Sequence, residues 1–269
     1  RQMCIRDSYY IFEVSKNKVM TQTEIIDRIK QLKKEKNAII LAHYYTRPEV
    51  QDIADYLGDS LGLSQMAGTT EADIIVFCGV HFMAETASII SPNKKVLIPA
   101  EGAGCSLAEG VSGYDLREWK KANPDGLIVS YVNTTAEVKA YTDYCCTSSN
   151  ALKIVQSLPK DKKILFVPDK NLGAYIQKVT GREMEIWNGD CCVHNKIDTQ
   201  MVLDKLEEYP DADVLIHPES SCSHDDRILN HPRAFMYSTA GIIKHAKESP
   251  KQRSVSYTHL RAHETGRNL

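Results

Sequence analysis

The sequence predicts an α/β protein: three similar αβα three-layer domains with parallel sheets, set around a pseudo-threefold axis, the third incomplete. Two observations carry this prediction. Short, continuously apolar runs alternate with amphipathic helical stretches, the pattern of parallel strands covered on both faces. The same polar marks then recur every 86–88 residues, the signature of an internal structural repeat.

The elements follow in order. Residues 38–42 form the first apolar run, and residues 48–57 carry a helical pattern behind it. The runs 74–77 and 95–98 continue the first unit. The second unit opens with the run 127–130, followed by a helical pattern over 136–141 and a strand over 164–167. The run 213–216 opens the third. The domains are expected at 20–109, 110–195 and 196–252.

The marks that repeat are polar. His43 ends the first strand, and Ser60 lies 17 residues beyond it. Tyr131 ends the equivalent strand of the second unit, and Ser148 again lies 17 residues on. His217 does so in the third, with Thr239, next to Ser238, 22 residues on. Tyr131 follows His43 by 88 residues, His217 follows Tyr131 by 86, and Cys191 follows Cys105 by 86. A third cysteine is therefore expected near position ~277 by the same period, past Leu269. Residues 1–8 and 253–269 lack the strand–helix rhythm and read as non-native ends, which sets aside Cys4, His259 and His263.

Composition narrows the function classes. With 33 Lys plus Arg against 35 Asp plus Glu, the net charge of −2 leaves no electrostatic footprint for nucleic acid or an anionic membrane. No apolar stretch reaches the ~18 residues of a membrane span, and no signal-peptide core opens the chain. The eight cysteines form no C-x-x-C pair, so they read as buried small hydrophobes or as ligands gathered from distant segments. A reducing cytoplasm is the expected compartment.

Parallel α/β sheets bind ligands at the carboxyl ends of their strands. His43, Tyr45, Tyr131, Asn133, His217 and Glu219 all follow expected strands, so three facing units would bring them to one central cleft. Ser60, Ser148 and Thr239 fall where helices are expected to begin. Such hydroxyls bind carboxylate or phosphate oxygens, or serve as plain N-caps. The histidines can equally be hydrogen-bonded scaffold, the tyrosines core residues with a wet tip, and Glu219 a loop charge. His194, three residues after Cys191, stays open between ligand, substrate donor and packing. His81 and Glu85 read as a capping arrangement, and Cys145, Cys146 and Cys192 as structural.

Several segments together resemble one family. They are 41–45, 48–55 and 58–61, then Gly79-Val80-His81-Phe82-Met83-Ala84-Glu85-Thr86-Ala87, Gly104-Cys105-Ser106-Leu107-Ala108 and Tyr131-Val132-Asn133. Trp187-Asn188-Gly189-Asp190-Cys191-Cys192-Val193-His194, His217-Pro218-Glu219 and Tyr237-Ser238-Thr239 complete the set, in order over 25–252. They resemble quinolinate synthases. The resemblance implies condensation of iminoaspartate with dihydroxyacetone phosphate to quinolinate, phosphate and water, in the biosynthesis of NAD. L-aspartate oxidase is the implied source of iminoaspartate. It also implies a [4Fe–4S] cluster held by three cysteines, two of which match Cys105 and Cys191. Substrate contacts match His43, Ser60, Tyr131, Asn133, Ser148, His217, Glu219 and Thr239. Tyr45, Glu219 and His217 match the positions for acid–base work, with an iron lacking a protein ligand as Lewis acid.

Two other expectations stand beside this one. A cluster-free phosphate-binding α/β enzyme, such as an aldolase, could use the same strand-end residues. A truncated, inactive form of the synthase would hold iron poorly with two thiolates.

Overall fold

The computed structural model describes residues 20–258, which build three parallel sheets in sequence. The first unit contains α1 (Gln22–Glu35), β1 (Ala38–His43), α2 (Pro48–Gln51), β2 (Tyr56–Gly58), α3 (Ser60–Thr69), β3 (Ile74–Cys78), α4 (His81–Ile90) and β4 (Lys95–Leu97). The second contains α5 (Gly113–Ala122), β5 (Leu127–Tyr131), α6 (Ala136–Lys139), β6 (Tyr144–Cys146), α7 (Ala151–Ser157), β7 (Ile164–Val167), α8 (Lys170–Thr180) and β8 (Glu185–Ile186). The third contains α9 (Thr199–Glu208), β9 (Asp213–Ile216), α10 (Asp226–Leu229), β10 (Ala234–Met236), α11 (Thr239–Glu248) and β11 (Ser254–Tyr257). Strand order is β2-β1-β3-β4, then β6-β5-β7-β8, then β10-β9-β11, so each sheet repeats one topology. The α/β class and the repeated parallel units are as expected.

The sheets are covered as parallel sheets must be. In the second unit Val129 and Phe166 face one core with Leu41, Phe77 and Phe82 of the first unit. Their neighbours Ile128, Leu165 and Val167 face the opposite side with Leu116 and Val138. The third unit keeps its own core, built on Val202, Val214, Ile216, Cys222 and Ile228.

Three expectations are corrected. The helix expected over 48–57 is a four-residue α2 followed by β2, which pairs with Leu41–His43. Asp55 is the cause: its carboxylate accepts the Ile40 N–H at 2.7 Å, and its own N–H donates to the Ile40 carbonyl at 2.9 Å. The chain is thereby stitched to β1 and cannot continue as helix. Asp143 does the same to Ile128, at 2.7 and 3.0 Å, and shortens the helix expected over 136–141 to α6. The two aspartates are a repeat-equivalent pair that the sequence reading passed over.

The third correction concerns the strand–helix rhythm that the sequence reads as lost over 253–269. Ser254–Tyr257 is β11, paired in parallel with Asp213–Ile216. Its Ser-Val-Ser-Tyr alternation packs Val255 and Tyr257 on the third core, a period of two rather than a continuous apolar run. The end at 1–8 and the residues after 258 lie outside the described residues.

Candidate active site

The three units meet at their strand ends. His43 is the last residue of β1, Tyr131 the last of β5, and His217 the first residue after β9; all three are buried. Glu219, only 3% exposed, is the point of convergence. Its Oε1 accepts the Tyr131 hydroxyl at 2.6 Å across units two and three. Its Oε2 lies 3.0 Å from His194 Nδ1. An ionised carboxylate only accepts, so His194 Nδ1 carries the proton. His217 Nδ1 stands 3.6 Å from Oε1, and the His194 and His217 rings stack with centroids 4.5 Å apart.

The turn that presents Glu219 is fixed from the second unit. Asn171 of α8 donates to the Glu219 carbonyl and to Asn195 Oδ1, both at 2.9 Å. The Ser223 hydroxyl closes the loop on the Asn171 carbonyl at 3.2 Å.

The first unit joins through Tyr45. Its hydroxyl meets Thr239 Oγ1 at 2.9 Å, at the start of α11. Its ring leans on His43, centroids 4.1 Å apart, and its N–H donates to His43 Nδ1 at 3.2 Å. His43 Nδ1 is therefore an acceptor, which leaves the ring proton on Nε2 in the neutral imidazole.

Electrostatics follow from one buried carboxylate. Burial raises the Glu219 carboxyl, but His217, His194 and the Tyr131 hydroxyl outweigh it and hold the group below the ordinary carboxylate range. Its charge acts outward. Burial and Glu219 together push the Tyr131 hydroxyl well above its ordinary value, and push up the Tyr45 hydroxyl and the Cys191 thiol. The Cys105 thiol is raised by the same two influences.

Cys105 and Cys191 thus share one electrostatic neighbour; Cys191 lies in the core that joins the first two units and the half-buried Cys105 packs against it. Among the described residues, ligand atoms of Cys191, His194 and Glu219 lie within 4.8 Å of one another. The other thiols sit elsewhere. Cys222 is buried in the third core and responds to Asp198 and Asp225, while Cys192 is exposed. The donors at the cleft fit a thiolate-held group in kind, with two cysteines supplied.

Gly189 holds the Cys191 loop close to β7. A Cβ there would lie 2.5 Å from the Pro168 carbonyl oxygen, and backbone cannot swing aside as a flexible side chain can. Gly189→Ala is expected to destabilise by about 1–3 kcal/mol, as overpacking does, and to expose Cys191. Thermal melting and the rate of Cys191 labelling by a thiol reagent check both; unchanged labelling would detach the loop from this contact.

The predicted hydroxyls fall in two groups. Ser60 and Thr239 are the first residues of α3 and α11, but the caps are the residues before them. Asp59 accepts the Gly62 N–H at 2.9 Å, and Ser238 accepts the Gly241 N–H at 3.3 Å. Ser148 lies in the turn before α7, whose N-cap is Asn150. The plain N-cap alternative is therefore overturned for all three. Asn133 is half-buried in the loop after β5, and its Oδ1 is buried with no hydrogen-bond partner in the protein. His194 is the central residue that the sequence reading left open; its three-residue spacing from Cys191 was the available signal.

The comparisons agree on one family. A family model described as Quinolinate synthetase A protein matches residues 27–264. The chain is 52% identical to the quinolinate synthase of Pyrobaculum aerophilum over 238 residues, covering 87% of this chain and 77% of that one. It is 51% identical to the quinolinate synthase of a Synechocystis strain over 226 residues, 84% of this chain and 70% of that one. With the Thermus thermophilus quinolinate synthase the identity is 48% over 236 residues, 88% and 76% of the two chains. On matches of this identity and extent, the chain belongs to the quinolinate synthase family, enzymes of NAD biosynthesis.

Proposed function

We propose that the cleft condenses iminoaspartate with dihydroxyacetone phosphate to quinolinate, with loss of phosphate and water. The observation that carries this reading is the meeting of the second and third units' strand ends, Tyr131 and His217, on Glu219 beside His194, with the Tyr45–Thr239 contact bringing in the first unit. Two anionic substrates need several donors, and the hydroxyls of Ser60, Ser148 and Thr239 stand at or just before helix starts that favour carboxylate and phosphate oxygens. His43 donates from Nε2. Asn133 Oδ1 offers a buried acceptor to a substrate N–H or O–H.

Proton transfer falls to Tyr45 and His217. A carboxylate held below its usual range is a weak base near neutral pH. Glu219 therefore serves by orienting Tyr131, His194 and His217. A [4Fe–4S] cluster with Cys105 and Cys191 as two of its three thiolates would supply, when bound, an open iron acting as a Lewis acid toward a substrate oxygen. Holding both substrates in one buried cleft lowers the entropic barrier to forming the two new bonds. Iminoaspartate would come from oxidation of an amino acid by an enzyme such as L-aspartate oxidase, in the cytoplasm. All seven described cysteines are free thiols, the state a reducing compartment maintains.

The test is anaerobic reconstitution with iron and sulfide, followed by assay with dihydroxyacetone phosphate and iminoaspartate generated in situ. Quinolinate and phosphate are expected in equal amounts from a brown protein. Equal turnover by the colourless, iron-free protein would favour the cluster-free reading instead. A second measurement separates binding from capping. Asp59→Ala should lower stability by about 1 kcal/mol, the usual effect of a lost cap. Ser60→Ala should leave the melting temperature in place and raise KM. A Ser60→Ala variant that melts early with KM unchanged would return Ser60 to a structural role.

A further inference from the structure

The loop after β5 carries Tyr131 and Asn133, and it is held from behind by Lys139, a residue with no part in the roles above. Lys139 is the last residue of α6, and its ammonium turns back toward the loop. Nζ donates to the Val132 carbonyl at 3.0 Å, to the Thr134 carbonyl, and to Thr134 Oγ1 at 3.3 Å. Thr134, fully buried, donates its own hydroxyl to the Tyr131 carbonyl at 3.0 Å. The carbonyls gathered by Lys139 are therefore those on either side of Asn133, whose Oδ1 is buried without a partner.

The first unit holds the other side of this device. α6 is a single turn, too short to be stable by its own hydrogen bonds. Glu85 of α4 accepts the Ala136 N–H at its start, at 3.0 Å, and the Phe82 ring lies 5.6 Å from Lys139 Nζ. The site is costly for an ammonium: burial lowers the Lys139 pKa to about 8, although Cys145 and Glu85 both oppose the shift. Mere packing on Phe82 would be served as well by an apolar side chain of similar length. The bonds to the loop are what an apolar chain could not supply.

We propose that Lys139 is a positioning residue for the Asn133 subsite, gathering the carbonyls that flank Asn133 so that its amide meets substrate in one orientation. Glu85 ties that orientation to the seating of the first unit on the second. The inference rests on the reading that Asn133 binds substrate.

The experiment uses the reconstituted enzyme with Lys139→Met, Lys139→Arg, Asn133→Ala and the Lys139→Met/Asn133→Ala double variant. KM and kcat are measured for both substrates, with L-malate as a dicarboxylate binding probe and thermal melting as control. Lys139→Met is expected to raise one KM and the malate Kd about tenfold, a loss typical of a misplaced contact, with kcat within about twofold. Lys139→Arg should recover most of the loss, and the double variant should be no worse than Asn133→Ala alone.

Lower melting with KM and malate binding unchanged would make Lys139 purely structural and overturn the proposal. Additive losses in the double variant would also overturn it, since Lys139 would then act elsewhere. If Asn133→Ala is impaired and Lys139→Met is not, only this inference falls. If neither changes binding, the subsite reading falls with it. Should Lys139→Met fail to fold, Glu85→Ala is read the same way: a raised KM for the substrate that Asn133→Ala affects supports the proposal, and an unchanged one overturns it.

Discussion

Glu219→Gln is expected to lower kcat for quinolinate formation by about 10²–10⁴-fold, the range for disabling one acid–base assembly. The substitution keeps volume and shape and changes only the hydrogen-bond code. Both oxygens of Glu219 accept, one from Tyr131 at 2.6 Å and one facing His194 Nδ1 at 3.0 Å. An amide has one acceptor and one donor, so its NH₂ must face either the Tyr131 hydroxyl or the His194 N–H. Facing Tyr131, the NH₂ can donate to the hydroxyl oxygen but leaves the hydroxyl proton without its acceptor; facing His194, it sets donor against donor. Either way one buried donor goes unsatisfied, which destabilises by about 1–3 kcal/mol. The imidazoles also lose the charge that orients them. The expected signature is a large fall in kcat with a modest fall in melting temperature, measured on the same preparation. A Glu219→Gln enzyme with kcat within about twofold of the parent would remove Glu219 from the chemistry and leave it as scaffold.

The parts of this fold that were legible in the sequence are those set by strong periodicity. The runs around Ile40, Val129 and Leu215 are apolar on consecutive residues because parallel strands are buried on both faces, and each appears as a strand. The spacing of His43, Tyr131 and His217 was legible because each closes a repeat-equivalent strand. What failed was local. Asp55 and Asp143 stop their helices through bonds to strands that lie 15 residues earlier, a long-range effect that helical patterning cannot reveal. The strand at Ser254–Tyr257 was missed because only Val255 and Tyr257 of its four residues are apolar, although their alternation suffices to pack on the third core while pairing with β9.

The site shows the same division. Side chains at strand ends could be placed from topology alone, whereas their partners could not. Nothing in the sequence pairs Tyr131 with Glu219 or Tyr45 with Thr239, since those bonds depend on how separate sheets are seated. The capping assignments slipped by one residue in two units. Asp59 and Ser238 satisfy the helix ends, so the Ser60 hydroxyl is not spent on a cap and the Thr239 hydroxyl can meet Tyr45, a distinction that one residue of sequence decides.

Replacing the cysteines one at a time should divide them sharply. Cys105→Ser and Cys191→Ser are each expected to reduce iron per chain by about tenfold or more after anaerobic reconstitution, because serine is a poor iron ligand beside a thiolate. Both thiols lie within reach of the Glu219 charge; Cys191 lies in the core that joins the first two units, and Cys105 packs against it. Cys192 neighbours Cys191 but is exposed, so Cys192→Ser should leave iron content and melting unchanged. Cys222 is fully buried among Ile197, Val202 and Ile228, so a hydroxyl in its place meets apolar walls and loses stability. Cys222→Ser should therefore melt earlier while the folded protein keeps the parent's iron. Iron and sulfide assays with the thiolate-to-iron absorption band read all four variants, and melting under the same conditions separates ligation from folding. If Cys222→Ser lost iron as fully as Cys191→Ser, the third unit's own core would have to open to supply a ligand. If Cys105→Ser kept its iron, the pairing of Cys105 with Cys191 would be wrong.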